Sequence, residues 1–417
     1  MYKIHTLVIA FCFFLQGASS QTPAKDSFLL TVGTQDSLYS QTLQESRNFY
    51  VQLPASYNPN TPEKFPVVYI IDGEVLLPTV HAVQSFYSGG FTPEMVLVGI
   101  SNATHRTRDL TPTQMNEKYG MPFNEASGEA ANFSAFLEKE LIPYIEKKYP
   151  VTQNRTLIGH SYGGLFAVYT LLHHPQLFSN YIAIDPSLDW DNQKLLGEAK
   201  EKLTQNNYAN TSLFISLSGQ LHMQDPSITI DNVMQDSSDF TVFARSNIGF
   251  SNMVRQHTPN GLAFSWKFYP KDLHGTVAFP SIREGLLFNF EWYQMENTDK
   301  FNSPDTSKEV LESIINYRAQ KLKTHFQYTV PPYPVDLLNA LGYMSLDMEQ
   351  PEKSKMFFEF AMQFYPNDAN TYDSMADYYE RTNDFENALK FVTKANTISP
   401  NDYYQDRIES LKLKSKK

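Results

Sequence analysis

The pentapeptide Gly159-His160-Ser161-Tyr162-Gly163 carries the clearest chemical signal in the chain. Its glycine-x-serine-x-glycine pattern is typical of a serine on a sharp turn between a strand and a helix, and a short β-rich run before it and an apolar stretch after it predict that context. The flanking residues must be small to let the chain turn so closely, and the helix N-terminus beneath the hydroxyl favours developing negative charge. Ser161 is therefore predicted to be a nucleophile.

A serine hydroxyl is a weak nucleophile without a base, and a histidine later in the chain is expected to supply it. His274 is the predicted base, because it stands in a loop between an apolar strand and the last helix of its region, beside the small residue Gly275. The remaining histidines after Ser161 are expected at helix ends, in an earlier loop or beyond that last helix. They are His173, His174, His222, His257 and His325.

An acid that orients the imidazole is expected in the loop after the strand Ser212 to Leu217. The nearest carboxylate in that loop is Asp225, which we predict as the acid, and Asp231 comes next. Asp185 and Asp189, after the preceding strand, are less expected candidates. A serine-histidine dyad without an acid also stays open at this point.

When the serine attacks an ester, negative charge develops on the carbonyl oxygen of the substrate, and two preorganised N–H donors are expected to stabilise it. The backbone N–H of Tyr162, the residue after the nucleophile, is the first expected donor. The second is assigned to Gly73 or Glu74, because Asp72-Gly73-Glu74 follows a buried strand and the glycine allows close backbone approach.

The elements that must position these groups alternate short β-rich runs with amphipathic stretches, which is typical of a sheet covered by helices on both faces. A closing helix is expected over Phe279 to Met295, and another over Gly128 to Tyr149. The predicted strands are Phe65 to Ile71, Glu94 to Ile100, Arg155 to Ile158, Tyr181 to Ile184, Ser212 to Leu217 and Phe264 to Tyr269. The fold class is therefore α/β, with an α/β-hydrolase arrangement of a mostly parallel sheet.

A second, all-α unit is expected at the C-terminal end. The motif around Pro366 recurs around Pro400, 34 residues later, and Gly342 and Ala376 keep the same offset. That period resembles the tetratricopeptide repeat, whose helical hairpins bury their apolar faces only by stacking. We therefore divide the chain into an esterase-type domain at 25–300, a helical linker at 301–334 and repeats with a capping helix at 335–417.

The first twenty residues follow the pattern of a secretory leader, with Lys3, an apolar run from Leu7 to Leu15 and small residues up to Ser20, where cleavage is expected. The apolar run is too short to span a bilayer. Cys12, the single cysteine of the chain, lies in this leader, so neither disulfides nor cysteine-bound metals are expected in the mature protein. A periplasmic or secreted location is predicted.

The charge of the chain bears on which classes of partner it can bind. The formal net charge is -11 at pH 7, and clustered basic residues are missing, so nucleic acid is not an expected partner. The predicted site needs no metal and no organic cofactor. A small-molecule ester is the expected substrate, and the repeat tail leaves a protein partner or self-association open.

Several motifs together resemble the esterase D-type family of putative esterases, and within it the siderophore esterases that open trilactones. They lie between about Phe28 and Glu296 in the family's order: 68–74, 99–102, 106–112, 159–164, 185–190 and 274–275. The resemblance implies an α/β-hydrolase that acts on esters, with Arg106 or Arg108 and Trp190 lining the pocket. His160 is assigned to substrate binding as well.

One position departs from the family pattern. Many members carry an aspartate where this chain has His222, which favours Asp225 as a substitute acid or the dyad. The predicted function is an exported serine hydrolase that cleaves carboxylic esters through an acyl-enzyme. The alternatives are acyl transfer to an alcohol at the same site and a non-catalytic protein whose repeat tail recognises a partner.

Overall fold

An eight-stranded, mostly parallel sheet is the framework of the protein. The computed structural model describes residues 32–60, 63–222, 224–257 and 260–415. The strands are β1 (Thr34–Ser40), β2 (Glu45–Gln52), β3 (Phe65–Ile71), β4 (Val96–Ile100), β5 (Glu117–Lys118), β6 (Met121–Pro122), β7 (Val151–His160), β8 (Asn180–Ile184), β9 (Ser212–Ser218) and β10 (Ala263–Tyr269). The large sheet has the order β1-β2-β4-β3-β7-β8-β9-β10, and β5 pairs with β6 in a separate hairpin.

Helices lie between the strands and continue after the last one. The helices of the esterase-type region are α1 (Gly73–Tyr87), α2 (Arg106–Leu110), α3 (Ala130–Phe136), α4 (Ile142–Lys148), α5 (Tyr162–His173), α6 (Trp190–Gln205), α7 (Val242–Gln256) and α8 (Ala278–Asn289). Those that follow are α9 (Thr298–Asn302), α10 (Lys308–Phe326), α11 (Val335–Asp347), α12 (Pro351–Phe364), α13 (Ala369–Arg381), α14 (Phe385–Ile398) and α15 (Asp402–Lys414). A π-helical turn at Leu137–Leu141 joins α3 to α4.

The central strands are buried on both faces, which explains their composition. Every residue of β3, β4, β8 and β9 is buried, and these strands are correspondingly rich in valine, isoleucine and leucine. The pairs from β4 through β10 are parallel, so the carboxyl ends of these strands meet at one edge of the sheet. The predicted α/β fold with a mostly parallel sheet and an all-helical C-terminal region is confirmed.

Some boundaries differ from the sequence expectations. The antiparallel pair β1 and β2 was not predicted, because its residues alternate between exposed and buried and carry few apolar side chains. The closing helix α8 ends at Asn289 instead of Met295, and a 3-10 turn follows at Glu291–Tyr293. These shifts leave the order of the predicted elements unchanged.

Helix α10, in the predicted linker, packs against the esterase-type region through a buried arginine. The guanidinium of Arg318 donates to the backbone carbonyls of Tyr293 (2.8 Å), Gln294 (2.9 Å) and Pro332 (2.7 Å). His325 in the same helix stacks on Trp292 with ring centroids 3.9 Å apart. Because each of these carbonyls gains a charge-assisted donor, α10 is held in one position.

The helices after the linker repeat their contacts at the predicted interval. Tyr343 donates to Asp377 (2.8 Å), Arg381 to Asp347 (2.7 Å) and Lys414 to Glu380 (2.6 Å), each across 34 residues. A Cβ on Gly342 would lie 2.4 Å from the ring of Phe358, which is the close helix crossing expected of a small residue. The assignment to tetratricopeptide repeats and the domain boundaries remain predictions.

The predicted leader, with its cleavage after Ser20 and with Cys12, lies outside the described residues. Among the residues that the structure does describe, none of the helices has the length and apolar character needed to cross a bilayer.

We expect the sharp turn after β7 to fail sterically when a methyl group is added. A Cβ on Gly159 would lie 2.1 Å from the carbonyl oxygen of Gly163, whereas a Cβ on the exposed Gly197 of α6 meets nothing within 4 Å. Gly159→Ala should lower the free energy of unfolding by about 1–3 kcal/mol. Gly197→Ala should leave it unchanged or raise it by up to about 1 kcal/mol. Urea denaturation followed by circular dichroism measures both, and a Gly159→Ala protein as stable as the wild type would show that the turn is looser than described.

Candidate active site

The predicted nucleophile stands on the expected turn. Strand β7 ends at His160 and α5 begins at Tyr162, and Ser161 between them has φ 60° and ψ -115°. This conformation is strained for a residue with a side chain and persists only when its surroundings hold it. Two backbone hydrogen bonds do so, from Ser161 N–H to Ile184 O (3.0 Å) and from Ser187 N–H to Ser161 O (3.1 Å).

The hydroxyl of Ser161 contacts a second hydroxyl that sequence reasoning did not identify. Ser161 Oγ lies 3.3 Å from Oγ of Ser187, which is itself buried. Ser187 belongs to the Asp185-Pro-Ser187 stretch at the carboxyl end of β8. The available signal was the position of this polar stretch directly after an apolar strand.

The imidazole of His274 is paired with a buried carboxylate. His274 follows β10, and its Nδ1 lies 2.7 Å from Oδ2 of Asp185. Asp185 has no exposed surface, and its Oδ1 accepts a hydrogen bond from the backbone N–H of Ser218 (2.9 Å). Both carboxylate oxygens of Asp185 therefore have a hydrogen-bond partner. Because Nδ1 of His274 faces the acid, Nε2 is the ring nitrogen that points away from it.

Other contacts fix the loop that carries His274. His160 Nε2 lies 2.8 Å from the backbone oxygen of His274, and the backbone N–H of His274 donates to Oε1 of Gln220 (3.2 Å). The rings of His160 and His274 lie 4.6 Å apart, and Phe243 meets the imidazole edge-on at 5.4 Å. The imidazole of His274 is thus brought beside His160, which directly precedes Ser161.

The structure corrects the expectation that Asp225 is the acid. Asp225 is exposed, and its carboxylate accepts from the N–H (2.9 Å) and hydroxyl (2.7 Å) of Ser227, so it closes a local turn. Asp231 is also exposed. The carboxylate at the imidazole is that of Asp185, one of the less expected candidates, because β8 lies beside β7 in the sheet and its end adjoins the nucleophile turn.

His160, predicted to bind substrate, has a defined structural contact instead. Burial, reinforced by the charge of the neighbouring His274, lowers the pKa of His160 to about 4. A neutral ring carries one N–H, and the 2.8 Å contact assigns it to Nε2, which donates to the carbonyl of His274. His160 therefore ties the nucleophile turn to the histidine loop.

The predicted oxyanion donors lie at the starts of two helices. Tyr162 is the first residue of α5, and Gly73 and Glu74 are the first two residues of α1. N–H groups in the first turn of a helix have no partner within the helix, so they are free to bind a negatively charged oxygen. A Cβ on Gly73 would lie 2.3 Å from the carbonyl carbon of Gly99, so only glycine permits this approach of α1 to β4.

Arg106 connects these two helix starts. Its Nε lies 3.0 Å from both carboxylate oxygens of Asp72, and its terminal nitrogen donates to the carbonyl of His160 (3.1 Å). Burial raises the pKa of the Asp72 carboxyl, and the contact with Arg106 opposes that rise. The guanidinium also lies over the ring of Tyr162, 5.4 Å from its centroid. Arg106 thus belongs to the site, in contact with both predicted donor loops.

The structure gives the two remaining predicted pocket residues mainly structural contacts. Arg108 pairs through two nitrogens with Glu45 (2.7 and 3.1 Å) and through Nε with Asp109 (2.9 Å). Trp190 is only 1% exposed and donates from Nε1 to Thr113. Its indole meets the ring of Tyr162 edge-on at 5.3 Å, so it supports the residue after the nucleophile from the interior.

Comparison with known proteins places the chain among esterases. Residues 40–264 match the putative esterase family. The chain is 29% identical over 223 residues to the ferri-bacillibactin esterase of Bacillus subtilis, a match that covers 49% of this chain and 76% of that protein. It is 27% identical over 249 residues to the siderophore enterobactin esterase of Emericella nidulans, covering 53% of this chain and 80% of that one.

A solved structure extends the likeness. The crystal structure of an IroE-like serine hydrolase from Shewanella oneidensis superposes with a TM-score of 0.63 at 28% sequence identity, covering 80% of this chain and 99% of that one. The matched family region contains the nucleophile turn, and it ends at the start of β10, which leads to the histidine loop. The chain belongs to the putative esterase family and is a carboxylic ester hydrolase.

Proposed function

We propose that the protein is an exported serine esterase that works through an acyl-enzyme on Ser161, with His274 as general base and Asp185 as the carboxylate that orients it. The single observation that carries the proposal is the 2.7 Å contact between His274 Nδ1 and the buried Asp185. It leaves Nε2 of His274 as the ring nitrogen that can accept a proton. Export is proposed from the leader pattern of residues 1–20.

The reaction follows from these positions. Ser161 Oγ attacks the acyl carbon while His274 accepts its proton, and Asp185 stabilises the imidazolium that forms. The N–H of Tyr162 and that of Gly73 or Glu74 bind the oxygen of the tetrahedral intermediate. When the intermediate collapses, His274 returns the proton to the departing alcohol. Water then attacks the acyl-enzyme by the same route and releases the acid and the free serine.

The substrate class is proposed from the relatives. Their names describe esterases of siderophores, so we propose that the chain cleaves an ester or lactone of a siderophore-like compound. The repeat-like tail is proposed to recognise a protein partner or a second copy of the chain. Arg106 and Tyr162 are the site residues that we expect nearest to the substrate.

A fluorophosphonate probe tests the nucleophile. The wild-type protein should be labelled once, on the peptide that contains Ser161, and Ser161→Ala should not be labelled. Ser187→Ala is the matched control, because the Ser187 hydroxyl lies only 3.3 Å from that of Ser161. This variant should still be labelled on Ser161. Intact mass and peptide mapping read the result. A label on Ser187, or unchanged labelling of Ser161→Ala, would overturn the assignment.

The acid is tested by comparing two aspartates. Asp185→Asn presents an amide to Nδ1 and disfavours the required tautomer, so kcat on a chromogenic short-chain ester should fall roughly a thousandfold or more with little change in KM. Asp225→Asn, which removes an exposed turn carboxylate, should change kcat by less than about twofold. Circular dichroism establishes that both variants are folded. Equal losses of kcat in the two variants, or a loss only in Asp225→Asn, would contradict the assignment of Asp185 as the acid and support Asp225.

A further inference from the structure

A cavity of about 530 Å³ lies between three segments of the esterase-type region. Residues 114–120, which include β5 and the turn after it, form one wall, and the starts of α6 and α7 with Asp189 and Asp239 form the others. Its charged and aromatic lining residues are Glu117, Lys118, Tyr119, Asp189, Asp191 and Asp239. The lining thus contains four acidic residues and one lysine.

The cavity is connected to the reacting serine through short contacts. Lys118 Nζ donates to the hydroxyl of Tyr162 (3.1 Å), the residue that follows Ser161. Asp189 stands two residues after Ser187, whose hydroxyl contacts Ser161. Lys118 and Asp189 therefore link the lining of the cavity to the two segments that carry Ser161 and Ser187.

Asp189 supplies an acceptor that has no partner. The residue is 7% exposed and its Oδ2 accepts from the hydroxyl of Tyr119, while its Oδ1 is buried with no hydrogen-bond partner among the described residues. Burial, together with the negative charge of Asp189, raises the pKa of Tyr119, which keeps that hydroxyl a donor. A buried carboxylate oxygen without a donor is costly, so positive charge close to the Asp189 carboxylate is favoured.

The lysine does not neutralise these carboxylates. Its ammonium lies over the rings of Tyr162 and Trp190, 5.2 Å from each centroid, on the side of the nucleophile turn. Over the described part of the chain, no lysine, arginine or histidine nitrogen lies within 4.0 Å of the carboxylates of Asp189, Asp191 or Asp239. The negative potential of the cavity is therefore not cancelled by an adjacent ion pair.

The arrangement suits an organic cation better than a metal ion. Within the described residues, no three or more histidine, cysteine, aspartate and glutamate side chains converge closely enough to hold a metal. The cavity has room for an organic group of several atoms, and its acidic residues come from three separate segments of the chain. Carboxylates are acceptors only, so they recognise ammonium or guanidinium groups through charge-assisted hydrogen bonds.

We propose that this cavity is a subsite for a cationic nitrogen on the ester substrate, so that the enzyme prefers esters that carry an ammonium or guanidinium group on the part that enters it. The inference rests on the proposed esterase function and narrows its substrate class. Asp189 and Asp239 are the specificity-determining residues, and neither takes part in the chemistry at Ser161.

The test compares substrates of matched shape that differ in charge, in which a neutral ureido group, with a carbonyl oxygen in place of one NH2 group, replaces the guanidinium. Chromogenic esters of guanidinobutanoate and ureidobutanoate form the acyl series, and the acetate esters of guanidinopropanol and ureidopropanol form the alcohol series. In one of the two series kcat/KM for the guanidino ester should exceed that for the ureido ester by roughly tenfold at low ionic strength, and the ratio should fall as salt is added.

Variants locate the preference in the cavity. Asp189→Asn and Asp239→Asn should each lower the guanidino-to-ureido ratio several-fold. Asp299→Asn, which makes the same charge change on an exposed side chain outside the cavity lining, should leave the ratio unchanged. A ratio near one in both series, with the ureido esters hydrolysed, would overturn the subsite alone. A guanidino-to-ureido ratio that stays unchanged in Asp189→Asn and Asp239→Asn would also overturn the subsite. If none of the esters were hydrolysed, both the subsite and the esterase proposal would be overturned.

Discussion

The pair formed by Asp185 and His274 is the interaction on which the arrangement of the site depends. A carboxylate with no exposed surface is tolerated only when both oxygens have donors, and here the donors are an imidazole and the backbone N–H of Ser218. Those donors come from the loop after β10 and the end of β9, while Asp185 directly follows β8. One buried group therefore joins three parallel strands at their carboxyl ends.

Two residues around that pair have a strained backbone conformation. Ser161 and Asp185 both have positive φ without being glycine, at 60° and 42°. Such conformations persist where neighbouring contacts over-determine them, and here the two residues stand at the ends of adjacent strands whose loops hydrogen-bond to each other. The strain is thus concentrated where the proposed nucleophile and its supporting acid need unusual directions for their side chains.

Local sequence patterns carried much of the fold and part of the site. The turn that carries Ser161 could be predicted because the glycine spacing reflects its steric requirement, and the position of His274 because its loop lies between the last apolar strand and a helix. Asp185 could not be ranked first, since a sequence does not state which strand lies beside β7, and the carboxyl end of β8 or of β9 satisfies the same local description. Lys118 and Tyr119 were missed because the two-residue strand β5 and the turn after it carry no periodic pattern.

Two residues that family likeness assigned to the pocket, Arg106 and Trp190, occupy different environments, and the sequence could not distinguish them. Arg106 and Trp190 both adjoin Tyr162, yet one is half-buried at the site and the other supports it from within. Burial of a side chain depends on elements distant in the chain, here the segment around Thr113 that receives the indole N–H. Spacing along the sequence carries no information about that contact.

The central claim is that Asp185 and His274 act as one unit on Ser161, and a double-mutant cycle on kcat/KM tests it most directly. Groups that act together show strongly non-additive losses. We predict that the variant with both Asp185→Asn and His274→Gln loses no more activity than His274→Gln alone. Losses that multiply, so that the double variant falls by the product of the two single effects, would contradict the account.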